Sequence, residues 1–131
     1  VAETRRTGDD VTVVATGRMV DRALEAAERA AADGVSVEVI DPRTIAPLDR
    51  ATIVGSVSRT GRLVVVQEAP APFSVAAEVC ALAVEECFSR LRAAPVRLCA
   101  EFANVPTPQD LVEARVPGVD TIHAALLKVA E

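Results

Sequence analysis

Apolar positions along this chain switch between two periods. Val11-Thr12-Val13-Val14-Ala15-Thr16, Val35-Ser36-Val37-Glu38-Val39-Ile40 and Arg62-Leu63-Val64-Val65-Val66-Gln67 are short runs rich in β-branched residues with strand character, and 96–99 reads as a short last strand. Between them the spacing becomes helical. Val20, Ala23, Leu24, Ala27, Ala30 and Ala31 make one stripe over 19–32, opposite Asp21, Arg22, Glu25, Glu28 and Arg29, and Gly34 marks its end. A second helix is expected over 49–59, with Ile53, Val54 and Val57 inward and Gly61 as its stop. A third is expected over 74–91, packing Val75, Val79, Cys80, Ala83, Val84, Cys87 and Phe88, before Ala94-Pro95 breaks it. The last helix takes Asp120 as its cap and buries Ile122, Ala125, Leu126 and Val129. Residues 2–7 add a weak strand before the turn Gly8-Asp9-Asp10, and proline-bearing loops occupy most of 101–118.

Strands that alternate with helices predict an α/β fold, a three-layer α/β/α sandwich around a mostly parallel sheet. Leu63–Val66 lacks alternation, as a strand buried on both faces should. The four strong strands, at 11–16, 35–40, 62–67 and 96–99, are expected to be parallel and central. A length of 131 residues fits one domain with one sizeable core. With 50% hydrophobic and 25% charged residues the chain is not disordered by composition. No apolar run reaches the ~20 residues of a membrane span, and a net charge of −5 argues against nucleic acid as a partner. Three cysteines, at 80, 87 and 99, are too few and too irregular for a disulfide framework or a zinc site. They read as small buried side chains of a protein in the reducing cytoplasm. The chain opens on Val1 without a signal segment, so 1–131 reads as a single domain cut from a longer protein.

The most specific stretch is the loop Asp41-Pro42-Arg43-Thr44-Ile45-Ala46-Pro47-Leu48-Asp49. Pro42 and Pro47 restrict the residues before them, and Asp49 is placed to cap the following helix. This wording resembles the C-terminal domain of the β subunit of thiamine-diphosphate-dependent 2-oxo-acid dehydrogenases, of the pyruvate and branched-chain type. Val11–Gly17 with Ala23-Leu24-Glu25-Ala26-Ala27, Gly61–Glu68 and Phe73–Cys80 extend the resemblance over nearly the whole chain. It implies the transketolase C-terminal fold, a five-stranded mixed sheet whose first strand is antiparallel and not adjacent to the second. It also implies thiamine diphosphate and Mg in the whole enzyme, with no cofactor in this domain. The implied partners are an α subunit, a second β subunit and the acyltransferase core of the complex. Some positions depart from the family pattern. Ser74 and Ala76 stand where glycines are usual, Gln67 where branched-chain-type members often carry histidine, and Val105-Pro106-Thr107-Pro108-Gln109 replaces a proline-x-proline-aromatic segment.

Residues that could do chemistry are sparse. His123 is the only histidine and reads as a surface or boundary residue. Glu85 and Glu86 are adjacent in a helix, hence about 100° apart, and read as a solvated face. Gly17 follows a strand but lies in no phosphate-binding motif. Arg43, between two prolines and beside Asp41, is the candidate for a specific contact with a carboxylate or phosphate. The competing structural role is an ion pair with Asp41, Asp49 or Glu68. Pro70, Pro72, Phe73 and the loop 101–109 gather apolar residues where solvent favours polar ones, and are candidate interface residues with Arg43 and Asp41. The resemblance implies a non-catalytic structural and assembly domain of a 2-oxo-acid dehydrogenase β subunit, expected to be inactive alone. The alternatives are a free-standing anion- or protein-binding module, or the matching domain of a transketolase or deoxyxylulose-phosphate synthase relative.

Overall fold

Five strands form one sheet in the order β1-β3-β2-β4-β5. They are β1 (Glu3–Arg6), β2 (Val11–Ala15), β3 (Val37–Asp41), β4 (Leu63–Pro70) and β5 (Val96–Ala100). The structure is a computed structural model that describes residues 1–101 and 115–131. β2, β3, β4 and β5 are mutually parallel, and β1 pairs antiparallel with β3. Helices α1 (Met19–Ala32) and α4 (Val119–Val129) cover one face, and α2 (Arg50–Thr60) and α3 (Val75–Cys87) cover the other. The expected mixed α/β/α sandwich is therefore present, with β1 and β2 on opposite sides of β3. The sheet divides the core in two. Val11, Val13, Val64 and Val66 pack on α1 and α4, while Val14, Leu63 and Val65 pack on α2 and α3.

Several expectations need correction. β5 is an edge strand rather than a central one, and its residues are only partly buried because β4 is its sole neighbour among the described residues. β3 starts at Val37, since Ser36 is occupied with Asp9, Asp10 and Val11 in the crossing below it. The presumed rigid loop from Glu68 is strand as far as Pro70, which pairs with Ala100 past a register shift. α3 ends at Cys87 and a 3-10 turn, Phe88–Arg90, carries the chain away before Pro95 is reached. Gly118, not Asp120, occupies the cap position of α4; the Asp120 carboxylate instead takes a hydrogen bond of 2.6 Å from Arg29 of α1. The expected loops of 102–114 lie outside the described residues.

Two local arrangements fix the topology. To pass from β1 to β2 the chain must cross the N-terminal end of β3. Gly8 makes that crossing: a Cβ there would lie 2.2 Å from the Val37 carbonyl carbon and 2.5 Å from the Glu38 nitrogen. Below the sheet, α2 meets β2 and β3 through a buried polar chain. The Thr12 hydroxyl contacts Ser56 Oγ at 2.6 Å and Thr60 Oγ1 at 2.8 Å, and Ser56 donates to Glu38 at 2.8 Å. Arg59 closes the chain by pairing with Glu38 and donating to the Gly8 carbonyl. Each buried oxygen thus has a partner, as burial demands.

Asp49 caps α2 as expected, accepting from Thr52 N–H at 3.2 Å and Thr52 Oγ1 at 2.8 Å, and it also receives Ala2 N–H at 2.9 Å. The Ala2 bond first, then the Thr52 bonds, hold its carboxyl below the usual carboxylate range. A depressed folded value stabilises the fold above the unfolded value and ceases to do so as pH falls through the folded one. The stability gap between wild type and Asp49→Ala should therefore be full at neutral pH and shrink below about pH 4 in urea titrations. A gap independent of pH would contradict this account.

Candidate interaction surface

The C-terminal ends of β3 and β4 present the predicted loop residues together. After β3, the Asp41 carboxylate accepts the Arg43 N–H at 2.9 Å, and Thr44 N–H donates to the Pro42 carbonyl at 2.6 Å. This three-residue turn holds Arg43 at φ 65°, a left-handed conformation that costs a side-chain-bearing residue about 1 kcal/mol or more. Pro42 is buried beneath the turn and the Thr44 hydroxyl bonds the Pro47 carbonyl at 3.0 Å, so the loop is braced from both sides. The Arg43 guanidinium contacts Glu3 of β1 at 2.7 Å while remaining largely exposed. Its ion-pair partner is thus Glu3, and not the Asp41, Asp49 or Glu68 side chain expected from sequence.

Phe73 is the second strained residue, at φ 53° and fully exposed. The next residue, Ser74, caps α3: its hydroxyl accepts Ala77 N–H at 3.3 Å and donates to the Ala71 carbonyl at 2.7 Å. Gln67 holds the same loop from below. Its buried amide accepts Ala76 N–H at 2.8 Å and donates to the Ala69 and Pro70 carbonyls, each at 3.1 Å. Pro72 is exposed and Pro70 half-buried. Between the two loops lies an open recess of about 470 Å³, lined by Ile45, Pro47, Leu48, Arg50, Val75 and Glu78. Exposed Ile45 lines it and exposed Phe73 immediately precedes its lining residue Ser74, two apolar side chains where solvent favours polar groups. The loop 101–109, predicted to join this surface, extends beyond the described residues.

The other sequence candidates fall elsewhere. His123 sits at the α1–α4 boundary, with Nε2 2.7 Å from Asp33. Glu85 and Glu86 are exposed, and Glu86 meets Arg50 at 3.4 Å. All three cysteines are unpaired; burial pushes the Cys80 thiol up to about 11 and raises that of Cys99, so neither is primed as a nucleophile at neutral pH. Gly17 has φ 58°, but the Glu68 carboxylate lies 3.4 Å from where its Cβ would be, and Arg18 is paired with that carboxylate. No group of three or more His, Cys, Asp or Glu among the described residues is arranged to hold a metal ion.

The model of the transketolase C-terminal domain family matches residues 1–122, and the chain belongs to that family. Its relatives include pyruvate dehydrogenase E1 β subunits. The one from Leifsonia xyli is 47% identical over 117 residues, covering 89% of this chain and 34% of the relative. The mitochondrial β-1 subunit of Arabidopsis thaliana is 45% identical over 95% of this chain and 34% of its own length. The β subunit of acetoin:2,6-dichlorophenolindophenol oxidoreductase from Cupriavidus necator is 40% identical over 94% and 36%. The chain thus spans about a third of the length of these curated relatives. Among solved structures, an inactive β4 tetramer of a split-gene transketolase superposes with a TM-score of 0.84 at 30% identity, covering 99% of this chain and 42% of that one. No helix among the described residues is long and apolar enough to cross a membrane.

Proposed function

We propose that this chain is the non-catalytic assembly domain of the β subunit of a 2-oxo-acid dehydrogenase, one domain of a longer protein. The observation that carries the reading is a pair of strained, exposed residues, Arg43 and Phe73, in the two loops that contribute Ile45, Pro47, Leu48 and Ser74 to one recess. Left-handed conformations at non-glycine residues persist where surroundings enforce them, and they gather at sites of function. Here Asp41, Gln67 and Ser74 enforce them, and the product is a cation and an aromatic ring held out for a partner. Both are side chains enriched at binding hot spots. The partners in this reading are the α subunit, the second β subunit and the acyltransferase core. The whole enzyme decarboxylates a 2-oxo acid with thiamine diphosphate and Mg supplied from outside this domain, then passes the acyl group to a lipoyl carrier. In this reading the protein works in a reducing compartment, the cytoplasm, with which its unpaired cysteines are compatible.

In the full-length β subunit co-expressed with its α subunit, Phe73→Asp should lower the yield of the heterotetramer more than about tenfold, while the isolated domain keeps its melting temperature. Unchanged assembly would remove the surface from the mechanism. Titration of the isolated chain with thiamine diphosphate and Mg should give no saturable heat, and micromolar binding, about −8 kcal/mol, would refute the non-catalytic assignment.

A further inference from the structure

β5 pairs with β4 on its inner side, and no described residue pairs with its outer side. An unpaired strand edge presents a row of N–H and C=O groups that an incoming strand can complete. The side chains of β5 alternate between the two layers of the fold. Val96 and Leu98 pack against the cluster under α1 and α4, and Cys99 packs against the one under α2 and α3. A strand added outside β5 would alternate in the same way.

Each face offers room for those side chains. Towards α4, a recess of about 280 Å³ lies between Ala93, Ala94 and Val96 on one side and Ala125 and Val129 on the other. Towards α3, a groove of about 450 Å³ runs between Ala77, Cys80, Ala81 and Val84 of the helix and Pro95 and Arg97 beside it. Sequence spacing predicts Val84 and Phe88 in the core, yet they are 43% and 75% exposed. A helix apolar all round carries no polar face to show which side is outward. None of the residues lining these two spaces lines the recess between the loops after β3 and β4.

Charge selects the occupant. Exposed Arg97 lies within the edge strand; its guanidinium donates to the Ala71 carbonyl at 3.3 Å, with no carboxylate at ion-pairing distance among the described residues. Lys128, exposed at the α4 recess, also lacks one among the described residues. Glu85 is the one acidic residue lining either space, and it stands on α3 rather than on the strand. Two copies of β5 meeting would bring two uncompensated arginines onto one short strand pair, which disfavours self-pairing. A strand bearing carboxylates instead gains an opposite-charge cross-strand pair. We propose that the outer edge of β5 is a strand-addition site for an extended acidic segment of another protein, with apolar residues turned towards α4 and Glu or Asp turned towards Arg97. Main-chain hydrogen bonds supply the affinity and the two spaces supply the selectivity. The five residues Val96–Ala100 set the length of the match. Nothing in this inference depends on the loops of Arg43 and Phe73.

The probe is a capped, fluorescein-labelled Val-Glu-Val-Glu-Val peptide titrated into the chain. Anisotropy should rise saturably, with half-saturation below about 1 mM, and amide exchange should slow across 96–100. Methylating one alternating set of the peptide's backbone nitrogens should weaken binding more than about tenfold, while methylating the other set leaves it intact, because only one set faces β5. Arg97→Glu should weaken the acidic peptide about fivefold and favour Val-Lys-Val-Lys-Val by a similar factor. Absence of saturable binding, equal effects of the two methylated sets, or an Arg97→Glu chain whose preference does not reverse would each overturn the proposal. So would a dimer in sedimentation that the peptide dissociates, since that assigns the edge to a second copy of the chain.

Discussion

Gly8→Ala should destabilise the domain by about 3 kcal/mol or more, the largest effect expected of any single methyl group added to this chain. The cause is contact with backbone rather than with a movable side chain. The new Cβ would lie 2.2 Å from the Val37 carbonyl carbon and 2.5 Å from both its oxygen and the Glu38 nitrogen. Relief requires either β3 or the β1–β2 crossing to shift. β3 is pinned between β1 and β2, so the crossing must move, and with it the Gly8 carbonyl that Arg59 holds. Gly55, on exposed α2 surface with nothing within 4 Å of its Cβ position, is the control. Alanine there should be neutral or stabilising by up to about 1 kcal/mol, because it lowers the entropy of the unfolded chain and suits a helix. Urea melts of the two variants check the contrast, and equal midpoints would refute the close-approach argument.

The sequence carries these features unequally. The strand–helix alternation, the Asp49 cap and the Gly61 stop rest on local periodicity and capping chemistry, and all three are present. The sheet order is not local. Gly8-Asp9-Asp10 looks like a hairpin turn, and only the family resemblance separates β1 from β2. The Thr12–Ser56–Thr60–Glu38 chain left a faint trace, in a threonine inside the apolar run of β2 and hydroxyls four residues apart on α2. Neither trace says that the two meet. The loop of Asp41 and Arg43 stands out in sequence because prolines bracket it, yet the Glu3 contact depends on the antiparallel placement of β1. Left-handed φ at Arg43 and Phe73 had no sequence signal, since neither residue favours that conformation. In sequence Phe73 stands out only as an apolar residue in a loop; its strain is what distinguishes it from a chance exposed ring.

Gln67 links the fold to the surface, and its substitution is the second large effect expected. Ala76 N–H is one of the orphan donors in the first turn of α3, and the Gln67 carbonyl oxygen serves it from β4 while Ser74 serves Ala77. The amide nitrogen meanwhile holds the Ala69 and Pro70 carbonyls, fixing the run that leads to Phe73. Gln67→Leu should cost about 2–3 kcal/mol, because buried partners are left unmatched. Amide hydrogen exchange should accelerate across 69–77 ahead of the rest of the sheet. Gln67→Glu tests the donor half alone. Its carboxylate can still accept from Ala76 but faces two carbonyl oxygens, so its protonated form is favoured in the fold. That raises its folded value above the unfolded one, and stability should be retained in acid and lost as pH rises toward neutrality. If Gln67→Glu matched wild type at every pH, the two carbonyl contacts would carry no energy. Phe73 would then have to owe its left-handed conformation to the Ser74 cap alone.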